Sequence, residues 1–325
     1  MIVGLTLLFE FANGWNDSAN SIATIVSTRV LRPIPAVAWA AFWNFVAAFF
    51  FGTAVAKTMG TGLVRLDLVN EHVLLAGLVA AIVWTSICTW MGLPISVSHS
   101  LMGGYGGAAI TKAGMGAIIG AGWVKPILFI FLSPLVGLAG AFLLTVGTSW
   151  VVRRQAPRRV DTWFRRLQLL SAAAYSLGHG TNDAQKGMGI IWAALLAAGA
   201  VSTTVGHPPW WVIIACHAAI AGGTMAGGWR VIKTMGQHIT KLNPFGGFAA
   251  ETGAALALFG TAQFGIPVST THTIAGAIVG VGATRRLTAV RWGVTKRIVW
   301  AWVLTIPGAA VMGAVGYKLF ELLTR

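Results

Sequence analysis

Two stretches of this 325-residue chain place acids and amides inside apolar surroundings. The first is Asn13-Gly14-Trp15-Asn16-Asp17-Ser18-Ala19-Asn20, and the second is His179-Gly180-Thr181-Asn182-Asp183-Ala184-Gln185-Lys186. A carboxylate in an apolar helix is costly to bury, so it faces a protein interior or a watery cavity and acts there on ions or protons. Asp17 and Asp183, with Asn oxygens and backbone carbonyls beside them, are hard-oxygen ligands for Na⁺, or carboxyls that take protons. The plainer reading is helix capping at a kink, which Asp and Asn favour. A motif that occurs twice, each time flanked by further polar groups, argues against capping alone.

Two further segments carry hydroxyls. They are Pro94-Ile95-Ser96-Val97-Ser98-His99-Ser100 and Pro267-Val268-Ser269-Thr270-Thr271-His272-Thr273. Each follows a proline and precedes a glycine-rich stretch. The N-terminus of a half-helix exposes free N–H groups and the positive end of the helix dipole, and hydroxyls beside it complete an anion cradle. The competing reading is Ser and Thr bonding back to their own helix. His99 and His272 occupy equivalent places and are either titrating groups or neutral hydrogen-bond anchors. Lys186 is placed to touch an anion or to balance Asp183. Glu10 lies seven residues before Asp17, on the same helical face. Glu10 and Glu251 read equally well as proton or cation sites and as hydrogen-bonded interior carboxyls.

The elements that must position these groups are apolar. The chain is 56% hydrophobic and 10% charged, with 41 glycines, against a usual charged share of about 25%. Runs such as Pro35–Ala56, Val73–Trp90, Ile127–Val152 and Ile298–Leu319 are long enough to cross a bilayer core of about 30 Å. The class is therefore an all-α polytopic membrane protein. The net charge of +15 does not indicate nucleic acid: the basic residues sit in the short gaps between apolar runs, as in cytoplasmic loops. Cys88 and Cys216 lie inside apolar runs and read as small buried hydrophobes. Met1–Phe9 lacks a basic leader and reads as the start of the first span, not a cleavable signal.

The Asn-Asp and Pro-Ser-His motifs recur in the same order. Asp17 and His99 are 82 residues apart, and Asp183 and His272 are 89 apart. This is an internal repeat: residues 1–152 form one membrane half, 153–166 a basic cytoplasmic linker, and 167–325 a second half. If the linker is inside, sixteen Lys and Arg fall on the inner side and six on the outer, which satisfies the positive-inside rule. Each half then crosses an odd number of times, so the halves are inverted and both termini lie outside. Gly14 and the Asn-Asp pairs give their helices a natural place to unwind. The expected architecture is two inverted-topology repeats with broken helices and Ser/Thr-rich hairpins, about 10–12 membrane helices in all.

The stretches GWNDSANSIATIVSTR, HGTNDAQKGMGII, GLPISVSHSLMGG and GIPVSTTHTIAGAIVG resemble the inorganic phosphate transporter family over nearly the whole chain. The resemblance implies a symporter that imports inorganic phosphate with Na⁺ or H⁺, with no cofactor, as a multi-pass protein of the plasma (inner) membrane. It suggests a homodimer in the lipid bilayer. Carried over by position, it nominates Asn16, Asp17, Asn20, Ser96, Ser98, Asn182, Asp183, Ser269, Thr270 and Thr271 for one central site. Charge repulsion between an anion and the aspartates leads us to expect phosphate at Ser96, Ser98, Asn182, Ser269, Thr270 and Thr271 and the coupling cation at Asn16, Asp17, Asn20 and Asp183. Sulfate uptake is the rival within the class; phosphate donates hydrogen bonds near neutral pH and sulfate does not, so nearby carboxylates favour phosphate. An intramembrane hydrolase using Ser, His and Asp is the rival outside it, but no Gly-x-Ser-x-Gly pattern accompanies those residues.

Overall fold

The computed structural model describes residues 1–50, 52–202 and 206–324. These residues are almost entirely helical. The first half holds α1 (Ile2–Ser27), α2 (Pro33–Val46), α3 (Ala54–Thr61), α4 (Glu71–Met91), α5 (Val97–Ala113) and α6 (Gly120–Val152). The second holds α7 (Pro157–Ala197), α8 (Trp210–Ala226), α9 (Trp229–Lys233), α10 (Pro244–Gln263), α11 (Thr270–Arg285) and α12 (Trp292–Leu323). The helices α4, α6 and α12 are each long and apolar enough to cross a membrane. Two bent pairs meet the same test when taken together: Pro33–Phe49 with α3, bent 85°, and α8 with Trp229–His238, bent 67°. Large apolar side chains such as Phe131, Leu135, Leu143, Trp150, Trp300 and Val311 are exposed on α6 and α12. The polar residues of the two Asn-Asp motifs, in α1 and α7, are buried, while the basic start of α7 is exposed. That distribution reverses the one a water-soluble chain shows and is what a lipid solvent requires.

The same starts recur in both halves. Asn70 caps α4 by accepting from the Val73 amide at 3.1 Å, and Asn243 caps α10 by accepting from Gly246 at 2.9 Å. Ser96 caps α5 by accepting from His99, and Ser269 caps α11 by accepting from His272. A short polar side chain at this position satisfies an amide that the helix itself leaves free. Helix packing is reciprocal as well: α5 lies against α12 and α11 lies against α6. Glycines allow the close approach. A Cβ on Gly103 or Gly107 would fall 2.4 or 2.2 Å from backbone oxygens of α12; on Gly276 or Gly280, 2.0 or 2.3 Å from those of α6.

One expectation is corrected here. Both Asn-Asp motifs lie within continuous helix, α1 and α7, and neither unwinds. Their glycines serve packing instead. A Cβ at Gly14 would fall 2.0 Å from the Ile220 carbonyl oxygen of α8, and one at Gly180 would fall 2.6 Å from that of Asn44 on α2. The helix axis bends between α2 and α3 and between α8 and α9. Of the basic segment 153–166, everything from Pro157 onward is the first part of α7.

Candidate functional site

The helices α1 and α7 run antiparallel through the centre of the molecule. Glu10 of α1 accepts from the Gly187 amide at 2.6 Å, His179 faces Asp17, and Thr28 donates to Gln168 at 2.9 Å. Advancing along α1 therefore means retreating along α7. Asp17 and Asp183 meet midway.

The N-terminus of α11 closes over them. The Thr270 hydroxyl lies 3.1 Å from Asp183 Oδ2 and 3.4 Å from Asp17 Oδ2. The Thr271 hydroxyl lies 3.2 Å from Asp17 Oδ1 and 2.8 Å from the Ile95 carbonyl, just before α5. Asn20 donates its Nδ2 to Thr271 Oγ1 at 2.9 Å. Thus the starts of α5 and α11 face each other across the two aspartates. Behind them the His99 and His272 rings lie 5.1 Å apart, and His272 stacks on Trp302 at 3.9 Å. Trp302 in turn donates to the Pro94 carbonyl at 3.0 Å, tying α12 to the α5 hairpin. These groups are all buried.

Two side chains of α7, His179 and Lys186, and Asn44 of α2 complete the cluster. His179 Nε2 lies 3.3 Å from Asp183 Oδ2 and 3.7 Å from Asp17 Oδ2. Asn44 commits its amide nitrogen to Thr224 at 3.0 Å, so its Oδ1 accepts from His179 Nδ1 at 3.1 Å. That contact fixes the ring and turns Nε2 toward the two carboxylates, the way an outer partner orients a ligating histidine. Asp17, His179 and Asp183 each offer one ligand atom, all within 4.8 Å of one another. Lys186 reaches Asp183 Oδ1 at 2.5 Å. A cation or proton shared among carboxylates and an imidazole, and an anion over two helix starts, are what this arrangement can hold.

The residues nominated from the sequence divide into groups. Asp17, Asn20, Asp183, Thr270 and Thr271 are in mutual contact. Ser96 and Ser269 are the caps of α5 and α11, and Ser98 is buried in the first turn of α5. Asn16 and Asn182 direct their amide nitrogens away from the centre, to Thr89 Oγ1 at 2.7 Å and to the Leu258 carbonyl at 3.1 Å. They tie α1 to α4 and α7 to α10. Glu251 accepts from Thr24, Ser171 and Gln168 at 2.6, 2.5 and 3.0 Å, locking α10 to α1 and α7. Glu10 accepts from Gly187 and Asn13. Both acids are hydrogen-bonded and outside the central cluster. His179 was not nominated. Its signal was available: it lies four residues before Asp183, on the same face of the helix.

Buried charge between inward-facing helix starts, wrapped in lipid-compatible helices, defines a membrane protein that handles small ions. The sequence model of the phosphate transporter family matches residues 13–159 and 151–313, and the chain belongs to that family. It is 53% identical over 322 residues to a probable low-affinity inorganic phosphate transporter of Rhizobium meliloti (strain 1021), covering 99% of this chain and 96% of that one. It is 42% identical over 330 residues to the protein given the same name in Bacillus subtilis (strain 168), covering 99% and 97%. Among solved structures, "The sodium-dependent phosphate transporter" superposes with a TM-score of 0.87 at 26% identity, covering 99% of this chain and 98% of that one. The relatives are named as transporters, not enzymes.

Proposed function

We propose that this protein imports inorganic phosphate as a secondary active symporter, coupled to Na⁺ or H⁺ and working by alternating access. The observation that carries the reading is the meeting of two capped helix starts over a pair of buried aspartates. Phosphate binds at the N-termini of α5 and α11, where backbone amides and the hydroxyls of Ser98, Thr270 and Thr271 recognise it. Ser96 and Ser269 hold those termini in shape, and Asn182 positions α7 beside them. The coupling cation binds at Asp17 and Asp183, with Asn20 beside Asp17 and Asn16 fixing the helix that carries it. Two carboxylates repel a phosphate anion strongly in a low-dielectric interior. The anion therefore enters only when a cation or protons offset them, and this requirement is the coupling.

The architecture supports the transport cycle. Equivalent helices α1 and α7 are antiparallel, as an axis in the membrane plane demands. The halves 1–152 and 167–325, joined through 153–166, rock about the central site. The protein is multi-pass, in the plasma membrane, with its termini outside, and works as a homodimer within the bilayer.

Purified protein in sealed vesicles tests this. Labelled phosphate and labelled sulfate are supplied under Na⁺ and pH gradients imposed one at a time. The expected result is phosphate accumulation driven by one or both gradients. Gradient-driven sulfate uptake without phosphate uptake contradicts the substrate; phosphate uptake indifferent to both gradients contradicts the coupling.

A further inference from the structure

Superposing the motifs on the sequence shows where the halves differ. Adding 166 to a residue number in α1 gives its counterpart in α7: Asn13 and His179, Gly14 and Gly180, Asp17 and Asp183, Asn20 and Lys186. Adding 173 relates the hairpins: Asn70 and Asn243, Ile95 and Val268, Ser96 and Ser269, His99 and His272. The carboxylate and the carbonyl that face each other are thus duplicated. In one half, Asp17 Oδ1 and the Ile95 carbonyl are bridged by the Thr271 hydroxyl, at 3.2 and 2.8 Å. In the other, Asp183 Oδ1 and the Val268 carbonyl are bridged by the Lys186 ammonium, at 2.5 and 3.5 Å.

The two bridges differ in kind. A carboxylate paired with a carbonyl of non-helical backbone, as at Ile95 and Val268 just before the helix caps, can hold a cation. In the α7 half that pocket already contains a cation: Lys186 Nζ is fully buried and attached to the chain. In the α1 half it contains a neutral hydroxyl with a single proton. The Ile95 carbonyl is nearer to that hydroxyl than Asp17 is. Thr270 likewise lies nearer Asp183 than Asp17. His179 Nε2 also lies nearer Asp183, at 3.3 Å, than Asp17, at 3.7 Å, so every group near Asp17 is shared with a nearer partner. The amide oxygens of Asn13, Asn16 and Asn20, along the same stretch of α1, are buried without hydrogen-bond partners. One half is rich in oxygen acceptors and has no ammonium or guanidinium on its carboxylate; the other carries Lys186.

We infer that Lys186 is a built-in substitute for one coupling cation. The pocket of Asp183 and Val268 is permanently filled by its ammonium, and only the pocket on the Asp17 side exchanges a cation during transport. The chain therefore moves one fewer positive charge per phosphate than the same frame would with an amide at position 186. This rests on the symport reading above and adds the number of exchangeable cations to it.

The test is the charge carried per phosphate. It is read in proteoliposomes from the membrane potential, set with K⁺ and valinomycin, at which net phosphate flux reverses under known Na⁺, proton and phosphate gradients. Lys186→Asn, which places at 186 the residue found at 20, is expected to carry one more positive charge per phosphate than the unaltered protein. Lys186→Arg is expected to keep the original value. A parallel measurement needs no turnover: binding of labelled phosphate to the purified protein against NaCl, with choline chloride holding ionic strength. Binding to Lys186→Asn is expected to be at least tenfold weaker without Na⁺ and to depend more steeply on it. An unchanged reversal potential together with an unchanged Na⁺ dependence in Lys186→Asn overturns the inference. If no position 186 variant folds, the unaltered protein decides: phosphate binding with a Hill slope near one for the coupling cation supports the inference, and a slope of two overturns it. If the unaltered protein moves no phosphate in the same vesicles, the symport reading itself has failed, which is a separate outcome.

Discussion

The hairpin helices α5 and α11 begin alike and diverge one residue later. Ser96 and Ser269 cap them with nearly the same backbone angles, and the histidines that receive the caps face each other. After the cap α5 has Val97 and Ser98, whereas α11 has Thr270 and Thr271. Only the α11 pair touches both aspartates. The α5 hairpin contributes a backbone carbonyl instead, from Ile95. The two hairpins thus share a frame, held by matching caps and by glycine contacts in both halves. In the proposed site the chemistry falls on the few positions where the halves differ. A frame fixed by backbone contacts tolerates such differences, because side chains at the centre change without moving the helices that carry them.

Altering the shared frame is expected to have the largest effect. Gly14→Ala and Gly180→Ala each drive a methyl into backbone of a neighbouring helix, at 2.0 and 2.6 Å. Backbone cannot yield as a side chain does, so both variants should lose folded protein, measured as the monodisperse fraction after detergent extraction. Gly14→Ala should be the worse.

Next comes the divergent pair. Thr271→Val removes a hydroxyl that the proposed phosphate site uses, held between Asp17 and Ile95, and a hydrogen bond from it to the charged phosphate is worth about 1.5–3 kcal/mol. Phosphate affinity should fall roughly tenfold or more. Ser98→Ala on the other hairpin should cost less, because Ser98 does not join the aspartate cluster. Equal losses in equilibrium phosphate binding would remove the asymmetry between the hairpins.

Glu251 separates structural from coupling carboxylates. Glu251→Ala leaves the buried donors of Thr24 and Gln168 unmatched, while Ser171 still reaches the Gln168 carbonyl. At about 1–3 kcal/mol for each unmatched donor, it should lower the thermal midpoint markedly. Glu251→Gln keeps acceptors for Thr24 and Gln168 and lets Ser171 accept from the new amide. It should leave the ion dependence of uptake unchanged; altered coupling in this variant would move Glu251 into the transport machinery.

The smallest expected effects are at the caps. Ser96→Ala and Ser269→Ala should each cost about 1 kcal/mol of stability, by similar amounts, since the two caps share one geometry. A clear difference between them in thermal unfolding would show that one serine does more than cap its helix.

Much of this was legible in the sequence for one physical reason. Charge stands out in a chain that is 10% charged, so Asp17 and Asp183 drew attention without any structure. The hairpins were visible because proline, a hydroxyl cluster and glycines fell together twice. The state of the helices was misread at Gly14. Glycine marks either a break or a close approach, and only the position of Ile220 shows which applies. Ser96 and Ser269 read as ligand hydroxyls, but capping is settled by backbone angles that the sequence does not display. His179 was passed over because histidines in the hairpins looked like the equivalent pair. Its counterpart, Asn13, is not a histidine, so repetition hid the residue that the structure places against both aspartates. The direction in which Asn16 and Asn182 point depends on α4 and α10, which lie far away in the chain.

The central claim is that Asp17 and Asp183 couple phosphate to a cation rather than bind phosphate themselves. Asp17→Asn and Asp183→Asn in proteoliposomes test it most directly, with gradient-driven accumulation and equilibrium phosphate binding measured on the same preparations. The account predicts that accumulation is lost in both variants. Binding without the coupling ion falls much less, or rises, because a repelling charge has been removed. If both variants still concentrate phosphate with the ion dependence of the unaltered protein, coupling lies elsewhere, and Glu10 and Glu251 become the residues to change next.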